Sequence, residues 1–164
     1  MEKRNEDPRA RWIGGERVER LGRFALDARA DDVFPLLCPI KEYDWLPGWS
    51  CEMVYSASGV AEKDAVFRTR ERLGHKAVWT TITYEPPLFI EYLVVMGLGA
   101  VMRLGVRLRG EGPGTEVEWS MRFTTFSAVA RRVVAARFSE AAFGKMMADR
   151  ERELGAWLRS RARA

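Results

Sequence analysis

The stretch CPIKEYDWLPGWSCEM, residues 38–53, gathers both cysteines of the chain, two tryptophans, a tyrosine and three carboxylates into sixteen positions. Such groups could hold a metal, activate a thiol or run acid–base chemistry, and each option makes a demand that the sequence can be asked to meet. A tetrahedral zinc site needs four donors, whereas the chain offers Cys38, Cys51 and one imidazole, His75, with no CxxC spacing. No metal and no cofactor is expected. A reactive thiolate needs an electropositive neighbour, and only Lys41 is near in sequence, so both cysteines read as small buried hydrophobes, kept as thiols by a reducing compartment. Glu42 and Asp44 read as solvated acids on a short helix. Glu52 reads as an outward, salt-bridged side chain, the alternative being a carboxylate at a cavity mouth. His75 sits in the tight connection Leu73-Gly74-His75-Lys76 and reads as a surface loop residue, with a place at a cavity rim as the alternative. Arg68, Arg70 and Arg72 share one face of a strand, either solvated or able to recognise an anion. The chain contains no nucleophile–base pair and no phosphate loop, so no catalytic residue is assigned.

The elements that must position these groups follow from patterning. With 164 residues and 47% hydrophobic content, the chain is of single-domain size. Residues 1–16 are polar, contain Pro8 and the Gly14-Gly15 pair, and read as a mobile arm ahead of one domain over 17–164. The N-terminus lacks the apolar run of a secretory signal, and no stretch approaches the roughly 20 apolar residues of a membrane helix, so a cytoplasmic protein without an integral membrane segment is expected. Net charge is +4, with 22 arginines among 27 basic residues and 23 acids interspersed among them. That mixture argues against nucleic acid as a partner, which needs one clustered basic face.

Val18 to Asp27 reads as a first strand, Ala30 to Leu37 as a short helix ended by Pro39, and Ile40 to Leu46 as a second brief helix closed by Pro47-Gly48. Strands follow at about 50–57, 64–72, 76–84, 88–97, 100–110 and 115–125, separated by turn-forming segments too short for crossover helices, so the sheet must be antiparallel. A turn at EGPG sets Arg109 against Glu116, Arg107 against Glu118, Leu108 against Val117, Val106 against Trp119, Leu104 against Met121 and Met102 against Phe123. Opposite charges then share one face and large apolar groups the other, and a one-residue slip would invert every side chain. The fourth strand carries two candidate inward faces, Trp79-Thr81-Thr83 and Val78-Thr80-Ile82-Tyr84. A single long helix is expected from an N-cap at Ser127 towards Ser160, with Gly144 or Gly155 marking a close crossing over the sheet.

This order of elements resembles the helix-grip fold of the START-like, or SRPBCC, superfamily, which includes Bet v 1-type and polyketide cyclase/dehydrase-like proteins. The residues carrying the likeness are FALDARADDVFPLL at 24–37, DWLPGW at 44–49 and YEPPLFIEY at 84–92. The resemblance implies an α+β fold: a seven-stranded curved antiparallel sheet wrapped round a long C-terminal helix, with two short helices after the first strand. It further implies a cavity between sheet and helix. The candidate lining is Trp45 and Trp49 beside the Pro47-Gly48 turn, Phe67, Tyr92, Val94, Met102, Leu104, Val106, Trp119 and Met121 from the strands, and Phe143, Met146 and Met147 from the helix. Aromatic and methionine-rich, this set suits a small hydrophobic ligand as the partner. The leading expectation is a carrier or sensor of such a ligand. An aromatase/cyclase-type enzyme acting on a hydrophobic ketone is the alternative, using Tyr92 with Glu52 or Arg70 as its polar pair, and a chaperone co-factor or interaction module is the third.

Overall fold

The computed structural model describes residues 13–70 and 76–163. Most of the expected N-terminal arm, together with Arg72 and His75, lies outside the described residues. The strands are β1 (Glu16–Leu26), β2 (Cys51–Tyr55), β3 (Val66–Arg70), β4 (Lys76–Glu85), β5 (Phe89–Met96), β6 (Ala100–Glu111) and β7 (Gly114–Thr125). They form one seven-stranded sheet in the order β1-β7-β6-β5-β4-β3-β2, with every neighbouring pair antiparallel. Two short helices, α1 (Ala30–Val33, continued by a 3-10 turn over Phe34–Leu37) and α2 (Glu42–Trp45), follow β1. The architecture is the α+β helix-grip fold anticipated from the element order.

The β6–β7 register matches each expected pairing, including Val106 opposite Trp119, and it also sets Arg103 opposite Arg122, an unfavourable match. Arg122 and Arg103 escape that clash sideways: Arg122 Nε reaches Glu19 on β1 at 2.7 Å, and Arg103 reaches Glu91 on β5 at 2.8 Å. Pairing continues one step further than expected, to Glu111 opposite Gly114, leaving Gly112-Pro113 as the turn. The left-handed φ of +59° at Gly112 is what a tight antiparallel turn demands. The ambiguity of β4 has a structural cause. Its pairing to β5 shifts between Thr81 and Thr83, so Ala77, Trp79 and Thr81 face inward before the bulge and Tyr84, packed on Phe34, faces inward after it.

The expected single helix is instead two, α3 (Ala128–Arg137) and α4 (Glu140–Arg161). Phe138 leaves the helical path to pack on Phe123, ring centroids 4.5 Å apart, and its carbonyl accepts from Arg20 Nε at 2.7 Å. Ser139 then caps α4 by accepting from the Ala142 amide. Buried Phe143, Met147 and Leu154 repeat at four- and seven-residue steps and form the face of α4 that meets the sheet. The close crossing is made by a glycine of the sheet. A Cβ on Gly22 of β1 would lie 2.5 Å from Met147 Cγ, whereas one on Gly144 would meet nothing, and Gly155 is the helix glycine that is buried, beside Leu26.

Candidate functional site

Beneath α4, the inward residues of the sheet and the segment after α1 enclose a cavity of about 70 Å³. Period-2 alternation supplies its sheet wall: Phe67 from β3, Trp79 from β4, Tyr92 from β5, Leu104 and Val106 from β6, and Trp119 and Met121 from β7. Leu37, Pro39, Glu42, Leu46 and Trp49 close one side, and Arg150 of α4 closes the top. Four of the rings brace one another. Phe67 stacks on Trp79 at 5.3 Å, and Tyr92 meets both edge-on, while Trp49 meets Trp79 edge-on at 6.3 Å. Their polar handles are engaged elsewhere, Tyr92 Oη donating to the Leu37 carbonyl at 3.0 Å, Trp49 Nε1 to that of Pro39 at 2.7 Å and Trp79 Nε1 to Thr69 Oγ1 at 2.9 Å.

Seven of the thirteen residues marked in the sequence, Trp49, Phe67, Tyr92, Leu104, Val106, Trp119 and Met121, therefore border this space. The other six do not. Trp45 is buried behind the lining, its Nε1 donating to the Leu36 carbonyl at 2.8 Å, and Val94 and Met102 are buried in the sheet core. Phe143 and Met147 are taken up by the crossing over Gly22, and Met146 is half-buried against the core. The Tyr92 pairing imagined for an enzyme does not form. Glu52 is exposed and ion-paired with Arg68 on the outer face, which lowers the Glu52 carboxyl below its usual range, and Arg70 is exposed beside it. Cys38 is buried, with its sulfur facing the Ala61 amide at 3.2 Å, and Cys51 faces the Pro39 carbonyl at 3.6 Å, both as free thiols.

The polar groups of the cavity are ones that sequence reasoning misplaced or missed. Glu42 was expected on a solvated face, yet its carboxyl points into the apolar lining, where burial pushes it up to about 8 against the opposing pull of Arg150. Burial also lowers the Arg150 guanidinium, and the two groups do not close an ion pair. That guanidinium carbon lies 5.9 Å from the ring centroids of both Trp45 and Trp119. Arg150 Nε and Trp119 Nε1 are buried without a hydrogen-bond partner among the described residues. Burial raises the Tyr92 hydroxyl well above the usual phenol range. A signal for both charged groups existed. Arg150 follows Met147 by three and precedes Leu154 by four, within the apolar stripe of α4, and Glu42 lies three residues before buried Trp45 on one face of α2. Among the described residues, no group of three or more His, Cys, Asp or Glu converges, and no helix is long and apolar enough to cross a membrane.

Solved structures share this architecture. Norcoclaurine synthase from Thalictrum flavum, determined as a point mutant with a transition-state analogue, aligns with a TM-score of 0.63 at 12% identity, covering 87% of this chain and 97% of that one. CalU16 from Micromonospora echinospora aligns with a TM-score of 0.58 at 21% identity over 88% of this chain and 84% of its own. An uncharacterised protein from Rhizobium leguminosarum gives 0.60 at 16% identity, over 85% and 98%. Identities this low establish a shared fold and no more. No curated protein sequence matches the chain. The family described as polyketide cyclase/dehydrase and lipid transport matches residues 22–155, which take in every strand from the middle of β1 onward and most of α4, and the chain belongs to that family.

Proposed function

We propose that this protein binds a small, ring-containing hydrophobic molecule in the cavity beneath α4, as a carrier or sensor working in the cytoplasm. The observation that carries the reading is the lining itself: four mutually braced aromatic rings with Leu104, Val106 and Met121 around one enclosed space. Apolar walls with a few placed polar groups are the usual make-up of small-molecule sites. At about 70 Å³ the space is smaller than the apolar cavity of about 150 Å³ that takes up benzene in another protein, so the ligand is compact or a wall gives way to it. The wall able to give is the one built from Pro39, Leu46 and Trp49, because it belongs to a connection held by a single turn of helix.

Titrating the protein with small aromatic compounds while following tryptophan emission tests the proposal, since Trp49, Trp79 and Trp119 all border the space. Binding should quench or shift emission in the wild type and be abolished in Val106→Trp, which fills the cavity from β6. Overpacking costs about 1–3 kcal/mol, so the variant should fold. No binding by the wild type to any compound of this class, together with unfolding of Val106→Trp, would sink the proposal. An enzyme of the cyclase type is the second reading, and Glu42 favours it. A carboxyl protonated at neutral pH inside an apolar site can act as a general acid towards a ketone oxygen. Turnover abolished by Glu42→Gln would separate the enzyme from the carrier.

A further inference from the structure

Two residues of the cavity lining carry buried donors without a hydrogen-bond partner among the described residues, Arg150 Nε and Trp119 Nε1, which an entirely apolar ligand would leave unpaired. Building on the reading that a small ring-containing molecule occupies this space, we infer that the polar end of the cavity receives a carboxylate borne on a compact apolar body, held by the Arg150 guanidinium and the Trp119 indole N–H.

The two donors differ from the polar groups around them. Trp45, Trp49 and Trp79 each satisfy their indole N–H within the fold, on Leu36, Pro39 and Thr69, whereas Trp119, only 4% exposed, does not. A buried indole N–H normally finds an acceptor, and a buried Nε–H belonging to a charged guanidinium is more costly still to leave without one. The acids near Arg150 do not serve it. Asp149, its neighbour in the chain, is held at the surface by Lys145 and Arg152, each at 2.7 Å. Glu42 stops short of an ion pair, and burial keeps its carboxyl protonated at neutral pH, so that it too presents a donor. Three donors around an apolar space call for an acceptor. A cationic ligand would be repelled by Arg150, and a neutral one would leave the guanidinium uncompensated, whereas a carboxylate takes a charge-assisted hydrogen bond from it. The remaining surface of the ligand must be apolar and flat, to lie among Phe67, Trp79 and Tyr92.

The test compares benzoate with toluene, which has the same ring and nearly the same size without the charge, on the full-length protein. Calorimetry gives the affinities, and the NMR resonance of the Trp119 indole N–H reports on the donor directly. Benzoate should bind at least about tenfold more tightly than toluene and shift the indole resonance, which toluene should leave near its original position. Arg150→Met, in which methionine keeps apolar bulk at that position, should bring the ratio of benzoate to toluene affinity down to about one. Should Arg150→Met fail to fold, Trp119→Phe carries the same test, with the ratio of benzoate to toluene affinity, which cancels the change in apolar wall, expected to fall about threefold. Equal affinities in the wild type, or an advantage that survives in the folded variant, would overturn the carboxylate site and leave the hydrophobic-ligand reading standing. Failure of both compounds to bind at millimolar concentration would count against that underlying reading and remove the carboxylate site with it.

Discussion

The two sides of the sheet are built differently. On one side, β6 and β7 are twelve residues each, pair with each other along their whole length, are flanked by β5 and β1, and bury almost every inward side chain. Their charges stay outside and are answered across the strands, Arg23 with Glu118 at 2.7 Å and Arg122 with Glu19 at 2.7 Å. On the other side, β2 and β3 are five residues each, β4 is interrupted by a bulge, and single turns of helix cover the edge. That is the side on which Glu42 turns inward and faces Arg150 across an apolar space. Of the buried polar atoms without a partner among the described residues, Trp119 Nε1 on β7 and Arg150 Nε on α4 belong to residues that border this cavity and Thr81 Oγ1 sits beside the β4 bulge, so the exceptions gather where a site conflicts with stability.

The strongest way to break this contrast is to truncate a side chain on each side. Phe123 is fully buried on β7 and packs on Phe138, so Phe123→Ala should lower stability by about 3–5 kcal/mol in denaturant unfolding. Trp49→Ala, on the short-strand side, removes a larger ring that is only partly buried, and should cost clearly less. Equal losses would mean that the cavity wall is packed as tightly as the long-strand core.

A glycine sharpens the comparison from the helix side. Gly22→Ala sets a Cβ within 2.5 Å of Met147 Cγ, and easing that contact means shifting α4 or the Met147 rotamer, at about 1–3 kcal/mol. Gly144→Ala, which meets nothing, should instead stabilise α4 by up to about 1 kcal/mol. Thermal unfolding of the pair reports on where helix and sheet touch.

Protonation offers a probe confined to the short-strand side. The Glu42 carboxyl is raised to about 8 in the folded protein from an ordinary value of 4.5. Below the ordinary value both states are protonated and the full stability is present; as pH rises towards about 8 the unfolded chain ionises first and stability falls. The wild type should therefore lose on the order of 1–2 kcal/mol across that window, a figure discounted for the residual exposure of Glu42, relative to Glu42→Gln. A pH-independent difference between the two would place the carboxyl in water. The smallest effect belongs to the outer face. Arg122→Ala removes an exposed pair with Glu19 and should change stability by less than about 1 kcal/mol, an effect that shrinks with added salt.

Alternation of charge and apolar bulk along residues 102–123 was enough to settle one hairpin to the residue, because cross-strand neighbours are near in sequence and a slip reverses every side chain at once. The order of elements likewise disclosed the fold, six of the cavity-lining residues could be picked from strand parity, and a seventh, Trp49, from the Pro47-Gly48 turn. Parity failed where the chain broke its own period. The bulge in β4 hid Trp79, and Phe138 with Ser139 divided a helix whose composition reads as continuous. Composition also misled at Glu42, since a glutamate on a short helix is ordinarily solvated. Its burial comes from the arrival of α4 and the sheet rings, elements contributed by distant parts of the chain. The partnership of β1 with β7, the seating of α4 over Gly22 and the meeting of Glu42 with Arg150 are all of this kind. Local pattern dictates which face of an element is apolar, whereas desolvation of a charge depends on everything that packs over it, and only the assembled tertiary structure decided that.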